Sequence, residues 1–561
     1  MDSTIKLRDD LQNLIHANTV SKQNVYSLIF VGFLIKKYDI LMNCKFDNFL
    51  TFIQYIKEEI STKSYSQDEL SLMNQSLNNL TVDFNLNNIG IKQVVDFINN
   101  YSKESYLEFI RIDLKNNLEK YNADMPEELS KLVSKILNTK KGGKLVDLIC
   151  GNGNFLTTVA DDNPTISVFG LTKSQNSLLN TEIRLYMLNC DYQVDFESEI
   201  TIKESFSSYD SIFCLLPPDI KDKNIYYNNF TNTKNNSVLW KYIDNAISML
   251  NAKGKAIFIL NNAPLFRNTE LEFRKYLIDN KLVETIIELP SNILYHTGIN
   301  TTMLILSKNS NMVNMIDATN MTINLSKYQK TVDIDKIYNA YISKENKISD
   351  SIIKDKNYSF ITNNYLNDTS KSMNHPVKLK DYIDVYRGYR GSKVNENNNE
   401  TIKIIQVANL NTNFIDVNDL ETINYDISME KDLLKDKDII FSRFANNFQC
   451  KIVHLKENEK VIASENIIIL RVKDLNNLSP YYLEEYLNSD AGKETIFANQ
   501  VKSTATLIQM SGLSDTYIDL ISYSKQLEIE KLCISKYDEM KENKEKINSI
   551  NSSIKDLLRN K

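Results

Sequence analysis

The sequence predicts an α/β protein: helices lead into a doubly wound, mostly parallel sheet, then a mixed α+β segment and a long helix follow. Three observations carry this prediction. No strand pattern interrupts the helical spacing of apolar residues before position 144. Short apolar runs then alternate with helical patterns as far as position 307, which is typical of parallel sheets covered by helices. Residues 525–558 are charged, with apolar positions spaced for one long helix.

The first 120 residues form the predicted N-terminal helical domain. Leu7, Leu11, Leu14 and Ile15 keep helical spacing, and residues 25–38 are so apolar that a helix there must be largely buried. That apolar run is too short to span a bilayer, and the N-terminus lacks the profile of a signal peptide. We therefore expect a cytoplasmic protein with no membrane partner.

The predicted sheet domain covers residues 121–310. Its expected strands are 145–149, 168–169, 211–216, 255–260, 283–289 and 301–307, and its expected helices are 177–188, 238–250 and 270–280. A ligand site should lie beyond the carboxyl ends of such strands. A polar connector with modest structure is predicted over 311–375, a mixed domain over 376–523 with strands at 403–407, 438–441 and 467–472, and a terminal helix over 524–561.

Composition narrows the function. The hydrophobic fraction of 42% and the charged fraction of 25% exclude disorder as the dominant state. Six cysteines are scattered without a Cys-x-x-Cys pair and four histidines stand apart, so neither a disulfide framework nor a metal site is expected. A net charge of −6 argues against indiscriminate polyanion binding but leaves room for a local basic face.

Glycine is scarce, with 13 in 561 residues, yet four occur at 142, 143, 151 and 153. The stretch Asp147-Leu-Ile-Cys-Gly151-Asn-Gly153-Asn-Phe-Leu joins a predicted strand to a helix. Two glycines two residues apart let the backbone approach a ligand closely, and an acid at the strand end can accept hydrogen bonds from it. A tight turn between strand and helix explains the same pattern without a ligand.

This segment resembles the first motif of class I S-adenosylmethionine-dependent methyltransferases. More specifically, the chain resembles the modification subunit of type I restriction-modification systems, an adenine-N6 DNA methyltransferase family. The match extends through Gly254-Lys-Ala-Ile-Phe-Ile, Pro264-Leu-Phe-Arg267, Leu282-Val-Glu-Thr-Ile-Ile-Glu-Leu-Pro290 and Tyr295-His-Thr-Gly-Ile-Asn-Thr-Thr-Met. The resemblance implies a class I methyltransferase-like sheet and S-adenosylmethionine as cofactor, with no metal.

The C-terminal part resembles a different subunit of the same systems, the specificity subunit. The similar phrases are Lys378-Leu-Lys-Asp-Tyr-Ile-Asp-Val-Tyr-Arg-Gly, Leu434-Lys-Asp-Lys-Asp-Ile-Ile-Phe-Ser-Arg443 and Val461-Ile-Ala-Ser-Glu-Asn466. One target-recognition domain, 376–523, is followed by one helix. The resemblance thus covers nearly the whole chain, as a modification subunit fused to half a specificity subunit.

The resemblance also identifies site residues. Positions retained for cofactor binding are Asp147, Gly151, Gly153, Phe155 and Glu204. In the family a polar Asn or Asp before Pro-Pro holds the adenine amine and an aromatic after it stacks on the ring. Here the motif is degenerate and consists of Leu216, Pro217, Pro218 and Asp219. Leu171-Thr172 also stands where the family has an acid for the cofactor ribose, so we expect catalysis to be lost.

The target-recognition domain supplies candidates for contacts to double-stranded DNA. Arginine, asparagine and glutamine suit base reading, whereas lysine adds salt-sensitive affinity for phosphates. The candidates are Arg387, Arg390, Lys393, Lys403, Arg443, Asn446, Asn447 and Gln449. A solvated surface in a chain rich in asparagine and lysine would give the same pattern.

Three hypotheses follow from the sequence. The chain is an inactive, sequence-specific DNA-binding protein on a methyltransferase scaffold, serving a defence, replication or regulatory complex. Alternatively it is an active adenine-N6 methyltransferase with an unorthodox pocket, or an assembly subunit whose active methyltransferase is another chain. The apolar seam of the terminal helix favours a homodimer or assembly with another restriction-modification or DNA-processing subunit.

Overall fold

The computed structural model describes residues 22–36, 48–78, 80, 88–102, 125–196, 209–217, 238–294, 299–325, 330–366, 373–391, 400–444, 448–498, 508, 510–514 and 516–559. The chain divides into two compact units, Met1–Lys354 and Asp355–Lys561. Several predicted positions lie outside the described residues: Leu7, Leu11, Leu14, Ile15, Glu204, Pro218, Asp219, Lys393, Asn446 and Asn447.

The first unit opens with helices, as predicted. The described ones are α1 (Lys22–Lys36), α2 (Phe49–Thr62), α3 (Gln67–Asn78) and α4 (Asn88–Asn100). Asn48 caps α2, because its side chain accepts a hydrogen bond from the backbone N–H of Thr51 at 3.0 Å. Their buried apolar residues form one core, which also takes in Ile183 and Met187 from a helix of the sheet domain. The helical domain is therefore packed onto the sheet domain.

The sheet domain alternates strands and helices. Its strands are β1 (Lys144–Asp147), β2 (Ser167–Thr172), β3 (Asp191–Phe196), β4 (Tyr209–Leu215), β5 (Leu250–Asn261), β6 (Val283–Glu288), β7 (Thr301–Ser307), β8 (Met312–Asp317), β9 (Thr322–Asn324), β10 (Lys330–Val332) and β11 (Lys347–Ser349). Its helices are α5 (Glu127–Leu137), α6 (Asn154–Asp162), α7 (Gln175–Met187), α8 (Val238–Met249), α9 (Leu271–Asp279), α10 (Ile334–Ser343) and α11 (Asp350–Asp355).

Nine of these strands form one sheet in the order β11-β8-β6-β7-β5-β4-β1-β2-β3. The pairs from β3 to β5 are all parallel, and β7 runs antiparallel between β5 and β6. The predicted doubly wound, mostly parallel sheet is confirmed. Because chain order reverses at β1, which lies between β2 and β4, a crevice opens there beyond the carboxyl ends of the strands.

The sequence predicts a modestly structured connector over 311–375, and here the structure differs. Strand β8 pairs in parallel with β6, and β11 pairs with β8, so the central sheet continues past residue 310. Val313 and Met315 of β8 are buried, although polar and lysine-rich stretches surround them. Strand β3 was also missed, since only Val194 of its six residues is buried. Both misses are edge or near-edge strands, whose burial pattern is too short to stand out in the sequence.

The second unit is built from smaller sheets and helices. Its strands are β12 (Pro376–Lys378), β13 (Ile383–Arg387), β14 (Thr401–Ile405), β15 (Glu421–Asn424), β16 (Ile439–Ser442), β17 (Lys451–Ile452), β18 (Val461–Ala463), β19 (Ile467–Val472) and β20 (Tyr517–Asp519). Its helices are α12 (Asn363–Leu366), α13 (Leu379–Tyr382), α14 (Pro480–Asn488), α15 (Asp490–Ala498), α16 (Met510–Ser514) and α17 (Tyr523–Arg559). The sheets are β13-β19-β16-β17, β15-β14-β18 and β12-β20.

Helix α17 spans 37 residues, which confirms the predicted long C-terminal helix. Its first turns are anchored by Gln526, which is buried and accepts from the Ser479 backbone N–H at 2.9 Å. Farther along, Lys544 donates to Asp416 at 2.5 Å and also to Asp419. Beyond Lys544 the apolar side chains are exposed: Ile547, Ile550, Ile554, Leu557 and Leu558. None of the helices in the described ranges is both long and apolar enough to cross a membrane.

Candidate functional sites

The first candidate site lies at the carboxyl edge of the parallel strands. Asp147 ends β1, Thr172 ends β2, and Leu216 follows directly after β4. Asp147 is opposite Gly170 of β2 and Phe213 of β4 in register, so the three strand ends lie side by side. This is the crevice in which doubly wound sheets bind ligands.

The glycine loop between β1 and α6 has the conformation that its sequence predicts. Gly151 and Gly153 have φ angles of +53° and +76°, in the left-handed region that favours glycine. A Cβ atom on Gly153 would lie 2.5 Å from Cγ2 of Thr181, so α7 approaches the loop backbone too closely for a larger residue. Asp147 is buried, and its Oδ1 accepts from the Ile149 backbone N–H at 3.1 Å, which directs the carboxylate along the loop.

Arg184, on α7, holds the glycine loop through hydrogen bonds. The sequence did not predict this residue. Its guanidinium is buried and donates to the Asn152 carbonyl oxygen at 2.5 Å, to Asn154 Oδ1 at 2.8 Å and to Thr157 Oγ1 at 2.8 Å. A buried charged donor depends on hydrogen bonds such as these to offset its desolvation. No local signal in the sequence links position 184 to the glycine motif, because the contact depends on tertiary packing.

Leu216 and Pro217 of the degenerate adenine motif lie at this edge, and Phe155, a predicted cofactor residue, lies in the core. Leu216 is buried, and its backbone N–H donates to the Ile259 carbonyl oxygen at 2.9 Å. Its side chain offers no hydrogen-bond acceptor. Phe155 is a core residue whose ring centroid lies 4.2 Å from that of Phe213. Pro217 is half-buried beside Leu216.

The residues at this edge can be compared with the groups that S-adenosylmethionine needs for binding. The open glycine loop and the Asp147 carboxylate suit the close approach of a nucleoside. At the end of β2, however, Thr172 is buried, and its hydroxyl accepts from the backbone N–H of Ser174 at 3.5 Å. A carboxylate that could bind both ribose hydroxyls is therefore missing from this position. The described residues fit the cofactor only in part.

The second candidate site is in the second unit, where three arginines predicted from the sequence come together. Burial, and after it the positive charges of Arg443 and Arg390, lower the pKa of Arg387. Arg390 is exposed, and Arg387 and Arg443 are half-buried. Neighbouring like charges are unfavourable unless an anion is nearby. The charge of Glu465 is one such anion, since it raises the pKa of Arg387, and phosphates are another kind of anion that arginines bind.

A tight turn between β18 and β19 holds two of these arginines. The Arg387 Nε donates to the Glu465 carbonyl oxygen at 2.9 Å, and the Arg443 backbone N–H donates to the Asn466 carbonyl oxygen at 2.8 Å. A Cβ atom on Gly388 would lie 2.0 Å from the Ser464 carbonyl oxygen, so the strand after Arg387 runs directly against the turn. We call residues Ser464, Glu465 and Asn466 the reading turn.

Two other predicted candidates are placed away from this turn. Lys403 lies in β14 of the three-stranded sheet, and its Nζ donates to the carbonyl oxygen of Val417, in the turn before β15, at 2.7 Å. Gln449 lines a cavity of about 380 Å³ beside α17, together with Lys451, Glu484 and Tyr537. The structure therefore brings together Arg387, Arg390 and Arg443 but not these two residues.

Part of the chain is similar to known proteins. Residues 121–378 match the N-6 DNA Methylase family. The chain is 24% identical over 295 residues to the methylase subunit of the type I restriction enzyme MpnII from Mycoplasma pneumoniae, and 25% identical over 321 residues to that of MjaVIII from Methanocaldococcus jannaschii. Residues 121–378 are therefore similar to N-6 DNA methylases, and the chain resembles methylase subunits of type I restriction enzymes.

The extent of this likeness is limited. The two alignments cover 45% and 50% of this chain, and the chain spans 54% of the length of each relative. A solved structure, the methyltransferase subunit of a type I restriction-modification system from Streptococcus thermophilus, superposes with a TM-score of 0.51 at 18% identity. That superposition covers 64% of this chain and 99% of the other, and it supports the fold.

Proposed function

We propose that the chain binds duplex DNA at a specific sequence through its second unit, on a methyltransferase-like scaffold that does not itself transfer a methyl group. The observation that carries the proposal is the cluster of Arg387, Arg390 and Arg443 around the reading turn. Arginine reads guanine and binds phosphates through the same planar group. A defence, replication or regulatory complex would use such a protein to mark a site.

The lack of catalysis is inferred from three positions. Leu216 has no acceptor for an adenine amine, and Asp219 cannot stack on a base. Thr172 stands where a carboxylate is expected for the cofactor ribose. Each of the two missing hydrogen bonds costs about 1–3 kcal/mol, and a stacking contact is lost as well, so the three losses together weigh heavily against transfer. Family resemblance still implies S-adenosylmethionine, and weak binding through Asp147, Gly151, Gly153 and Glu204 is compatible with this proposal.

Three measurements test the proposal. The full chain should shift duplex DNA at low salt, and a specific sequence should be enriched from a random duplex pool. With labelled S-adenosylmethionine it should transfer no methyl group to genomic DNA. Failure to bind any duplex would refute DNA binding, whereas stoichiometric methylation of one motif would establish the alternative, an active adenine-N6 DNA methyltransferase of a restriction-modification system.

We also propose that the far end of α17 pairs with a second copy of the chain. Exposed Ile547, Ile550 and Ile554 repeat at intervals of three and four residues, as in helices that pack against another helix. A homodimer would bring two recognition domains to one site. Sedimentation of wild type and of Ile550→Lys with Ile554→Lys tests this: a dimer converted to monomer supports self-pairing, and a monomeric wild type favours assembly with another subunit.

A further inference from the structure

The reading turn presents an acid among arginines. Glu465 is exposed at its centre, and its backbone carbonyl oxygen accepts from Arg387 Nε. Among the described residues the Glu465 side chain makes no ion pair within 4.0 Å and no side-chain hydrogen bond, and its charge acts on the neighbouring Arg387 from a longer distance. A carboxylate at a surface that binds DNA is repelled by phosphates, so its presence there needs a reason.

The backbone of the reading turn and the residue before it form hydrogen bonds with several neighbouring segments. Besides the two arginine contacts, the Tyr389 backbone N–H donates to the Ala463 carbonyl oxygen at 2.8 Å, and the Ser464 N–H donates to the Ile405 carbonyl oxygen at 2.9 Å. Side chains that read bases must be held in place, because a loosely held group loses discrimination. The exposed carboxylate of Glu465, carried on this hydrogen-bonded backbone, meets this requirement.

The chemistry of base edges limits what such a group can read. In the major groove a carboxylate accepts a hydrogen bond from the N4 amine of cytosine. Adenine also offers an amine there, but its adjacent N7 is an acceptor that repels a carboxylate, and guanine and thymine offer only acceptors. We infer that Glu465 is a specificity-determining residue that accepts from the N4 amine of a cytosine, while Arg387, Arg390 and Arg443 contact the DNA around it. This inference rests on the proposed DNA binding and adds the base that the turn reads.

The test compares wild type with Glu465→Gln and Glu465→Asp. Each protein is incubated with a pool of duplex DNA carrying a randomised segment, and the bound fraction is sequenced. Wild type should enrich a motif with one cytosine position at which Glu465→Gln loses about tenfold in preference, because glutamine favours adenine. Glu465→Asp, which retains the acceptor, should keep cytosine at lower affinity. The remaining positions of the motif should be unchanged in both variants.

A matched control separates base reading from charge. Glu457 is an exposed glutamate before β18, at the end of that strand opposite to the reading turn. Glu457→Gln makes the same charge change and should leave the motif unaltered. An identical motif for wild type and Glu465→Gln would overturn the inference and leave DNA binding standing. A wild-type chain that enriches no motif would instead refute the proposed function, and with it the role of Glu465.

Discussion

Arg184 and Asn152 are joined by a hydrogen bond of 2.5 Å from a guanidinium nitrogen to a backbone carbonyl oxygen. The bond links α7 to the glycine loop and aligns the loop with the helix that also contacts the N-terminal domain. Replacing Arg184 by Met should therefore lower the free energy of unfolding of the first unit by about 3 kcal/mol, because buried acceptors lose a charged donor. Fluorescence of Trp240, the only tryptophan, measures this in denaturant. The exposed Arg267→Met should change it little.

Gly153→Ala should destabilise the first unit more than Gly142→Ala. Both glycines have a positive φ, +76° and +73°, so backbone strain of about 1–2 kcal/mol applies to each alanine. Only at Gly153 does the new methyl group meet another residue, Thr181, whereas nothing lies within 4 Å at Gly142. Trp240 fluorescence in urea gives both values, and equal losses would show that α7 can move away from the loop.

Glu182 should make stability depend on pH. Burial, and then the charge of Asp195, raise its pKa from 4.5 to about 7, and its Oε2 has no hydrogen-bond partner among the described residues. The folded state thus retains a proton that the unfolded state has released, so the free energy of unfolding falls as pH rises from about 5 to 8. Glu182→Gln should match wild type near pH 5 and exceed it by about 1 kcal/mol near pH 8.

The control for this pH dependence is Glu272→Gln, which removes an exposed carboxylate on α9. Its stability relative to wild type should be the same at both pH values. A Glu182→Gln variant that is less stable than wild type at pH 8 would contradict the burial argument.

Arg390→Ala with Arg443→Ala should weaken DNA binding in a salt-dependent manner. If both guanidinium groups contact phosphates, the slope of log affinity against log salt should fall by about 2 in magnitude. Titration of labelled duplex at several salt concentrations measures the slope. Lys456→Ala removes an exposed charge near the opposite end of β18 and should leave it nearly unchanged; an equal loss there would mean that only net charge matters.

Leu216→Asn combined with Asp219→Tyr should not produce methyl transfer. The pair restores the adenine acceptor and a stacking ring, but Thr172 still stands at the ribose position. Incorporation of labelled methyl groups into genomic DNA is the measurement, with Thr172→Glu added in a triple variant for comparison. Strong methyl transfer by the double variant would show that a carboxylate at position 172 is not required for the cofactor to bind productively.

The fold could be predicted wherever burial is continuous along the sequence. Strand β7 has the predicted bounds because six of its seven residues are buried, and β19 likewise begins and ends as expected. Strand β3 exposes half of its residues along an edge, so its sequence resembles that of a loop. Strand β8 follows a polar stretch that hides its four buried residues.

The candidate sites were predictable only in part, because their residues are joined across the chain. The glycine loop is local, so its two positive φ angles follow from the spacing of Gly151 and Gly153. Arg184 lies more than thirty residues away, and its contact depends on how α7 packs. Residue types suggested Arg387 and Arg443, but only the pairing of β13 and β16 with β19 shows that they share the reading turn.

The close packing of Gly388 against Ser464 constrains the backbone of the reading turn but not the side chain of Glu465. A side chain larger than glycine does not fit at position 388, because the Ser464 carbonyl oxygen occupies the space where its Cβ would lie. The Glu465 side chain is exposed, so its exchange should leave the fold intact. A single codon change at 465 would then redirect the protein to a new DNA sequence, so its repertoire of targets could diversify while its architecture is inherited intact.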